Sequence, residues 1–198
     1  MLAASATCTA PVNNELLPDH MSYTIRYGIV IVIAVLDQIT KIWANASLAM
    51  YEQVPITSFF NITKAYNYGA AFSFLDVEGG MQRWFFTTIS FVVSAVLIVW
   101  LYRLQKNERW LILAISLILG GAIGNLIDRA FLGYVVDFIQ VHWNTSYFPS
   151  FNIADAAISC GTVLLLVITL FEKNEHQSDN TDENQSEPGS GSKSEIGK

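Results

Sequence analysis

Charge is the scarce ingredient of this chain. Only 14% of its 198 residues are Asp, Glu, Lys or Arg while 52% are hydrophobic, a balance too apolar for an ordinary water-soluble domain. Lys and Arg number 11 against 17 acids, and no nucleic-acid partner is expected. Cysteine is nearly absent. Cys8 and Cys160 lie far apart in topology, so a disulfide is not expected and Cys160 is read as an inert buried thiol. Histidine is equally thin: His20, His142 and His176 are scattered, which leaves zinc without ligands in number or spacing, and neither a metal nor another cofactor is expected. The first 20 residues lack a basic segment followed directly by an apolar one, so they do not read as a cleavable signal peptide. LAASATC, ending at Cys8, has no apolar segment before it and is not read as a lipid-attachment box.

What the chain has instead is length without charge. Four stretches, about 23–43, 84–102, 110–129 and 154–171, reach the roughly 20 residues that a helix needs to cross a bilayer at about 1.5 Å per residue. The second is the cleanest, uncharged from Trp84 to Tyr102 with Trp84 and Trp100 as interfacial anchors. The first is the impure one, with Arg26 at its start and Asp37 and Lys41 inside it. The link YRLQKNER carries Arg103, Lys106 and Arg109, whereas residues 131–151 carry no Lys or Arg, so the link is expected on the cytoplasmic side. Both termini then fall there too, with Arg26 and Lys173 flanking the outer helices, and the connections 44–83 and 130–153 face outward. Within those connections, 48–63 and 134–151 are rich in Val, Ile, Phe, Tyr and Thr and predict short strands. The expected fold is an all-α membrane protein of four transmembrane helices, with a small β-rich cradle on the outer face formed by the outward loops. Its divisions are an N-terminal cytoplasmic extension (1–22), a four-helix membrane domain (23–172) and an acidic tail (173–198). From Glu172 onward seven acids face three lysines, and so polar a segment is expected to stay disordered. Nothing in the chain demands more than a monomer.

Five carboxylates, Asp37, Asp76, Asp128, Asp137 and Asp155, fall towards the outward face, in or beside the membrane segments. An ionisable group there costs several kcal/mol unless it is paired or wet, so each is a functional candidate. Asp37 and Lys41 are four residues apart, on one helical face, and read as an internal ion pair. GGAIGNLIDR places Gly120 and Gly124 at the spacing that lets helices approach closely, with Asn125, Asp128 and Arg129 within one turn of each other. Asp137 lies in strand-like GYVVDFI and Asp155 at the mouth of the fourth helix in FNIADAAI, and the loop between them returns to the same membrane face. Two facing carboxylates in a partly dry site keep one proton between them, which suits peptide hydrolysis: the ionised member activates water and the protonated one polarises the carbonyl. On the residues alone an aspartyl-type membrane hydrolase, an ion- or proton-coupled carrier and a noncatalytic assembly subunit all remain open. Asp76 reads as a solvated turn residue.

The blocks LDQITK, NYGAAFSFL, GGAIGNLIDR, GYVVDFI and FNIADAAI, in this order over about 25–171, closely resemble the lipoprotein signal peptidases, the bacterial type II signal peptidases. The resemblance implies a polytopic aspartyl endopeptidase of the bacterial inner membrane. Its members remove the signal peptide of diacylglyceryl-modified prolipoproteins immediately before the lipid-bearing cysteine, and globomycin-type cyclic peptides occupy the same cleft. It implies a catalytic pair at Asp137 and Asp155. Asn67, Asn125, Arg129 and Asn152 match substrate-contacting or site-shaping positions, and Asp37, Lys41 and Asp128 match positions with a mainly structural role. Membrane lipid and a site near the periplasmic face are implied with them.

Overall fold

A computed structural model describes residues 20–69 and 81–183. Four helices in it are long and apolar enough to span a bilayer. They are α1 (His20–Ser47), α2 (Met81–Arg103), α3 (Arg109–Phe131) and α4 (Ile153–Glu183). Between them lie β1 (Gln53–Pro55), β2 (Phe60–Asn67), β3 (Val135–Trp143) and β4 (Ser146–Tyr147), joined as an antiparallel sheet in the order β1-β2-β3-β4. The sheet therefore belongs to one end of the bundle, where α1 and α3 finish and α2 and α4 begin. The short α2–α3 link lies at the other end.

The outer surfaces of α1, α2 and α4 carry exposed Ile31, Val35, Phe91, Val99, Val163 and Leu166, an arrangement that only a hydrocarbon environment accommodates. The core holds Val30, Leu97, Leu101, Ile112, Ile115 and Leu119. α3 is the central helix and packs against all three others. Glycine makes this possible: a Cβ at Gly120 would meet Ile33 of α1, one at Gly124 the Asp37 carboxylate, and one at Gly121 the Ala154 backbone of α4. α3 then stops at Gly133, whose φ of +86° suits the left-handed turn that returns its N–H to the Asp128 and Arg129 carbonyls.

Arg26 is not a solvated flanking charge but is buried, and its Nη1 donates to the Leu101 and Leu104 carbonyls at 2.9 Å each. It completes the last turn of α2, whose terminal carbonyls have no helical partner. Arg83 donates in the same way to the Ala130 carbonyl at the end of α3, and Lys64 of β2 to Asn45 in the last turn of α1 at 3.0 Å.

Two boundaries and one burial differ from expectation. β2 continues past residue 63 to Asn67, because its pairing with β3 is prolonged through a register shift between Ile62 and Ala65. α4 continues beyond Phe171 to Glu183, into the segment expected as a disordered tail. Charge forbids lipid burial but not helix, and Glu, Lys and Gln are good helix formers. Cys160 is exposed on the outer face of α4 rather than buried, since α4 turns only one side to α3. Cys8 and Asp76, and Ala70 onward in NYGAAFSFL, lie outside the described residues.

Candidate functional site

The first turn of α4 organises the site. Asn152 precedes α4 and its Oδ1 accepts from the Asp155 N–H at 2.9 Å, an N-cap that satisfies one of the helix's free donors. A second donor, Ala154 N–H, goes to Asp37 Oδ1 at 2.9 Å. Asp155 thus sits in the first turn, where the helix dipole favours a negative charge. The loop before it is folded back on β3, with the Phe151 carbonyl accepting from Phe138 N–H at 3.0 Å and Ile139 N–H at 2.8 Å. This fold-back brings Asn152 against Asp137, whose Oδ1 accepts from Asn152 Nδ2 at 2.6 Å.

The Asp155 carboxylate is held in parallel fashion, its Oδ1 accepting from Asn125 Nδ2 at 2.8 Å. Asn125 Oδ1 receives Lys41 Nζ at 2.9 Å and lies 3.4 Å from Asn152 Nδ2, which joins the two amides. Asp137 is 2% exposed, while Asp155 is half-buried and helps line an open pocket of about 440 Å³ with Phe148, Phe151, Ala156, Ser159 and Cys160. Burial, and then the charge of Asp155, push the Asp137 carboxyl up to about 7, against the opposing influence of hydrogen bonds from Asn67 and Asn152 and of the Lys41 charge.

Behind the pair is a saturated ionic cluster. Lys41 Nζ lies 2.7 Å from Asp37 Oδ2 and 3.1 Å from Asp128 Oδ2, all three side chains being buried. Asp128 also accepts from Val136 N–H at 3.1 Å and from Gln38 Nε2 at 3.0 Å. Gln38 reaches the Gly124 carbonyl as well, at 3.1 Å, and so ties α1 to α3. Sequence reasoning missed Gln38, although a lone amide beside Asp37 in an apolar helix was a usable signal.

The nine residues to which the family resemblance gives a role all lie in this one region, whereas Asp76 falls outside the described residues. Asn125, Asn152, Asp137 and Asp155 form one network, with Lys41, Asp37 and Asp128 joined to it. Asn67 bonds to Asp137 and also accepts from Gly69 N–H at 2.9 Å, which shapes the turn after β2. Arg129 lies over the Phe86 ring at 5.9 Å, within electrostatic reach of Asp128, Asp137 and Asp155. His142, by contrast, lies on the sheet stacked on Tyr147 at 5.1 Å.

A lipid-facing bundle with such a polar centre at one end defines a multi-pass membrane protein with a built polar site. A family model described as signal peptidase (SPase) II matches residues 29–171. The lipoprotein signal peptidase of Pseudomonas putida is 58% identical over 137 residues, covering 68% of this chain and 80% of that protein. The lipoprotein signal peptidase of Pseudomonas aeruginosa (strain UCBPP-PA14) is 57% identical over 139 residues, 69% of this chain and 82% of that protein. Two solved structures of bacterial membrane enzymes superpose with TM-scores of 0.67 and 0.65 at 31% and 30% identity. They cover 76% and 74% of this chain and 90% and 92% of theirs. The chain belongs to the signal peptidase II family. It is a peptidase of the bacterial inner membrane, and the carrier and assembly-subunit alternatives are thereby set aside.

Proposed function

We propose that this chain is an aspartic endopeptidase that removes the signal peptide from diacylglyceryl-modified prolipoproteins, cutting immediately before the lipid-bearing cysteine with Asp137 and Asp155 as its catalytic pair. The observation that carries the reading is the pairing of two carboxylates, each gripped by its own asparagine amide, at the sheet end of a lipid-facing bundle. Near neutral pH the pair holds one proton, because burial and the charge of Asp155 hold Asp137 at about 7. The ionised member takes a proton from water as its oxygen attacks the scissile carbonyl carbon, while the protonated member donates to the carbonyl oxygen. The tetrahedral intermediate then collapses, the C–N bond breaks, and the amine leaves with a proton returned by the pair. No covalent enzyme intermediate forms.

Depth supports the substrate assignment. A signal helix anchored in the bilayer, with acyl chains beside it, presents its scissile bond near an interface, and the pair lies at the ends of β3 and α4 nearest that level. We place this end at the periplasmic face, with the link bearing Arg103, Lys106 and Arg109, and both termini, in the cytoplasm. The enzyme works as a monomer, membrane lipid bathes its cleft, and globomycin-type cyclic peptides compete there with substrate. Asn67, Asn125, Arg129 and Asn152 shape the site around the scissile peptide.

The test is cleavage of purified diacylglyceryl-modified prolipoprotein by wild type, Asp137→Asn and Asp155→Asn in detergent, followed as a gel shift. The product is expected from wild type alone, with unlipidated precursor left uncut. Activity in either folded variant removes that residue from the mechanism.

A further inference from the structure

We propose that Lys41 is a positioning residue for hydrolysis, its buried ammonium fixing both the orientation of the Asn125 amide and the backbone on which each member of the Asp137/Asp155 pair is mounted. The inference rests on the reading of that pair as catalytic. Lys41 Nζ has three N–H donors and three acceptors around it: Asp37 Oδ2 at 2.7 Å, Asn125 Oδ1 at 2.9 Å and Asp128 Oδ2 at 3.1 Å. With every donor engaged in a side chain 2% exposed, none is left for substrate.

Each of the three arms ends beside a carboxylate of the pair. The first runs through Asn125. An ammonium can only donate, so Asn125 must turn its oxygen to Lys41 and its Nδ2 to Asp155 Oδ1 at 2.8 Å. The opposite orientation would set the amide donors against the ammonium and the amide oxygen against the carboxylate, losing both contacts together. The second arm runs through Asp37, whose other oxygen takes the N–H of Ala154, the residue before Asp155. The third runs through Asp128, which takes the N–H of Val136, the residue before Asp137. Elements far apart in the chain, α1, α3, β3 and α4, thus meet on one ammonium, which sets the separation and aim of the two carboxyl groups.

Lys41 also acts through its charge. Asp137 is faced by Asp155 from α4, Lys41 from α1, Arg129 from α3, Asn67 from β2 and Asn152 from the loop before α4. The charged and phenolic groups of β2, Lys64 and Tyr66, turn instead to Asn45. Lys41 opposes the upward push on Asp137, so its removal moves the alkaline limb of the activity profile to higher pH.

The experiment measures kcat, KM, pH profile and thermal stability of full-length Lys41→Met and of the double variant Lys41→Met/Asp37→Asn, with diacylglyceryl-modified prolipoprotein as substrate. The double variant keeps one net negative charge in the cluster, as in wild type where two carboxylates face one ammonium, so it avoids an added unpaired charge. Both are expected to lose about 10- to 100-fold in kcat per folded molecule with KM unchanged. In Lys41→Met the alkaline limb shifts upward. A merely structural role lowers thermal stability and leaves kcat per folded molecule and the pH limb as in wild type, and that result in the double variant overturns the proposal. Asp137→Asn and Asp155→Asn run in parallel: cleavage by either condemns the catalytic pair itself rather than the role of Lys41.

Discussion

Asp137 shows how a residue's surroundings convert into a pH dependence. Its carboxyl is raised from an ordinary 3.8 to about 7 in the folded protein, so between those values the native state holds a proton that the unfolded chain has released. The sign follows: the native state gains from this group at low pH and loses stability as pH rises from about 4 to about 7. Asp137→Asn carries no charge to bury, so its melting temperature should exceed that of wild type at pH 8 and converge with it near pH 4, as calorimetry in detergent would reveal. Wild-type cleavage should decline as pH rises beyond about 7, when the pair surrenders its shared proton. Asp137 and Asp155 were legible as candidates because charge is so rare in this chain that each carboxylate stands out. Their partners were less so. Asp37 and Lys41 read as an i,i+4 pair, and the geometry adds Asp128 and Asn125, which pairwise spacing along one helix has no means of indicating. In the sequence Arg26 signals only topology, because a sequence gives its charge but not the carbonyls of α2 that it serves.

At the level of elements, glycine decides how closely the helices lie. Gly121→Ala would drive a methyl group into the Ala154 carbonyl and the Ile158 side chain. Overpacking of this kind costs about 1–3 kcal/mol, and here it also displaces the turn that carries Asp155. The expected outcome is a lower melting temperature together with reduced cleavage. Gly28→Ala, with nothing within 4 Å of the new methyl group, is expected to leave cleavage intact and to stabilise α1 by up to about 1 kcal/mol. The Gly120/Gly124 spacing announced a close packing face, and that face proves to meet α1. Gly121, one residue around the helix, serves α4. Helix existence was readable from uncharged length, whereas boundaries set by partners were not. β2 runs to Asn67 because β3 is there to pair with it, and Cys160 is exposed because α4 offers α3 a single face.

For the molecule as a whole, the family match ends at residue 171 while α4 continues to Glu183. A chain truncated after residue 183 is expected to cleave prolipoprotein at the wild-type rate, a comparison that the same gel assay makes directly. The architecture of four spans and a small sheet was legible because bilayer thickness and β-rich composition act locally. The network that joins Asn125, Asn152, Asp137 and Asp155 was not, since it depends on a loop folding back through the Phe151 carbonyl. Three helix ends are completed in trans: α2 by Arg26 of α1, α3 by Arg83 of α2, and α1 by Lys64 of β2. Asp37 of α1 in turn receives the first turn of α4. Read in the order of synthesis, each earlier helix supplies or awaits a group from another part of the chain, and α4 emerges last to find its acceptor already in place. Asp155 arrives with it, so with the proposed pair a nascent chain is expected to cut nothing until its final span has docked, and docking of α4 becomes the moment of activation.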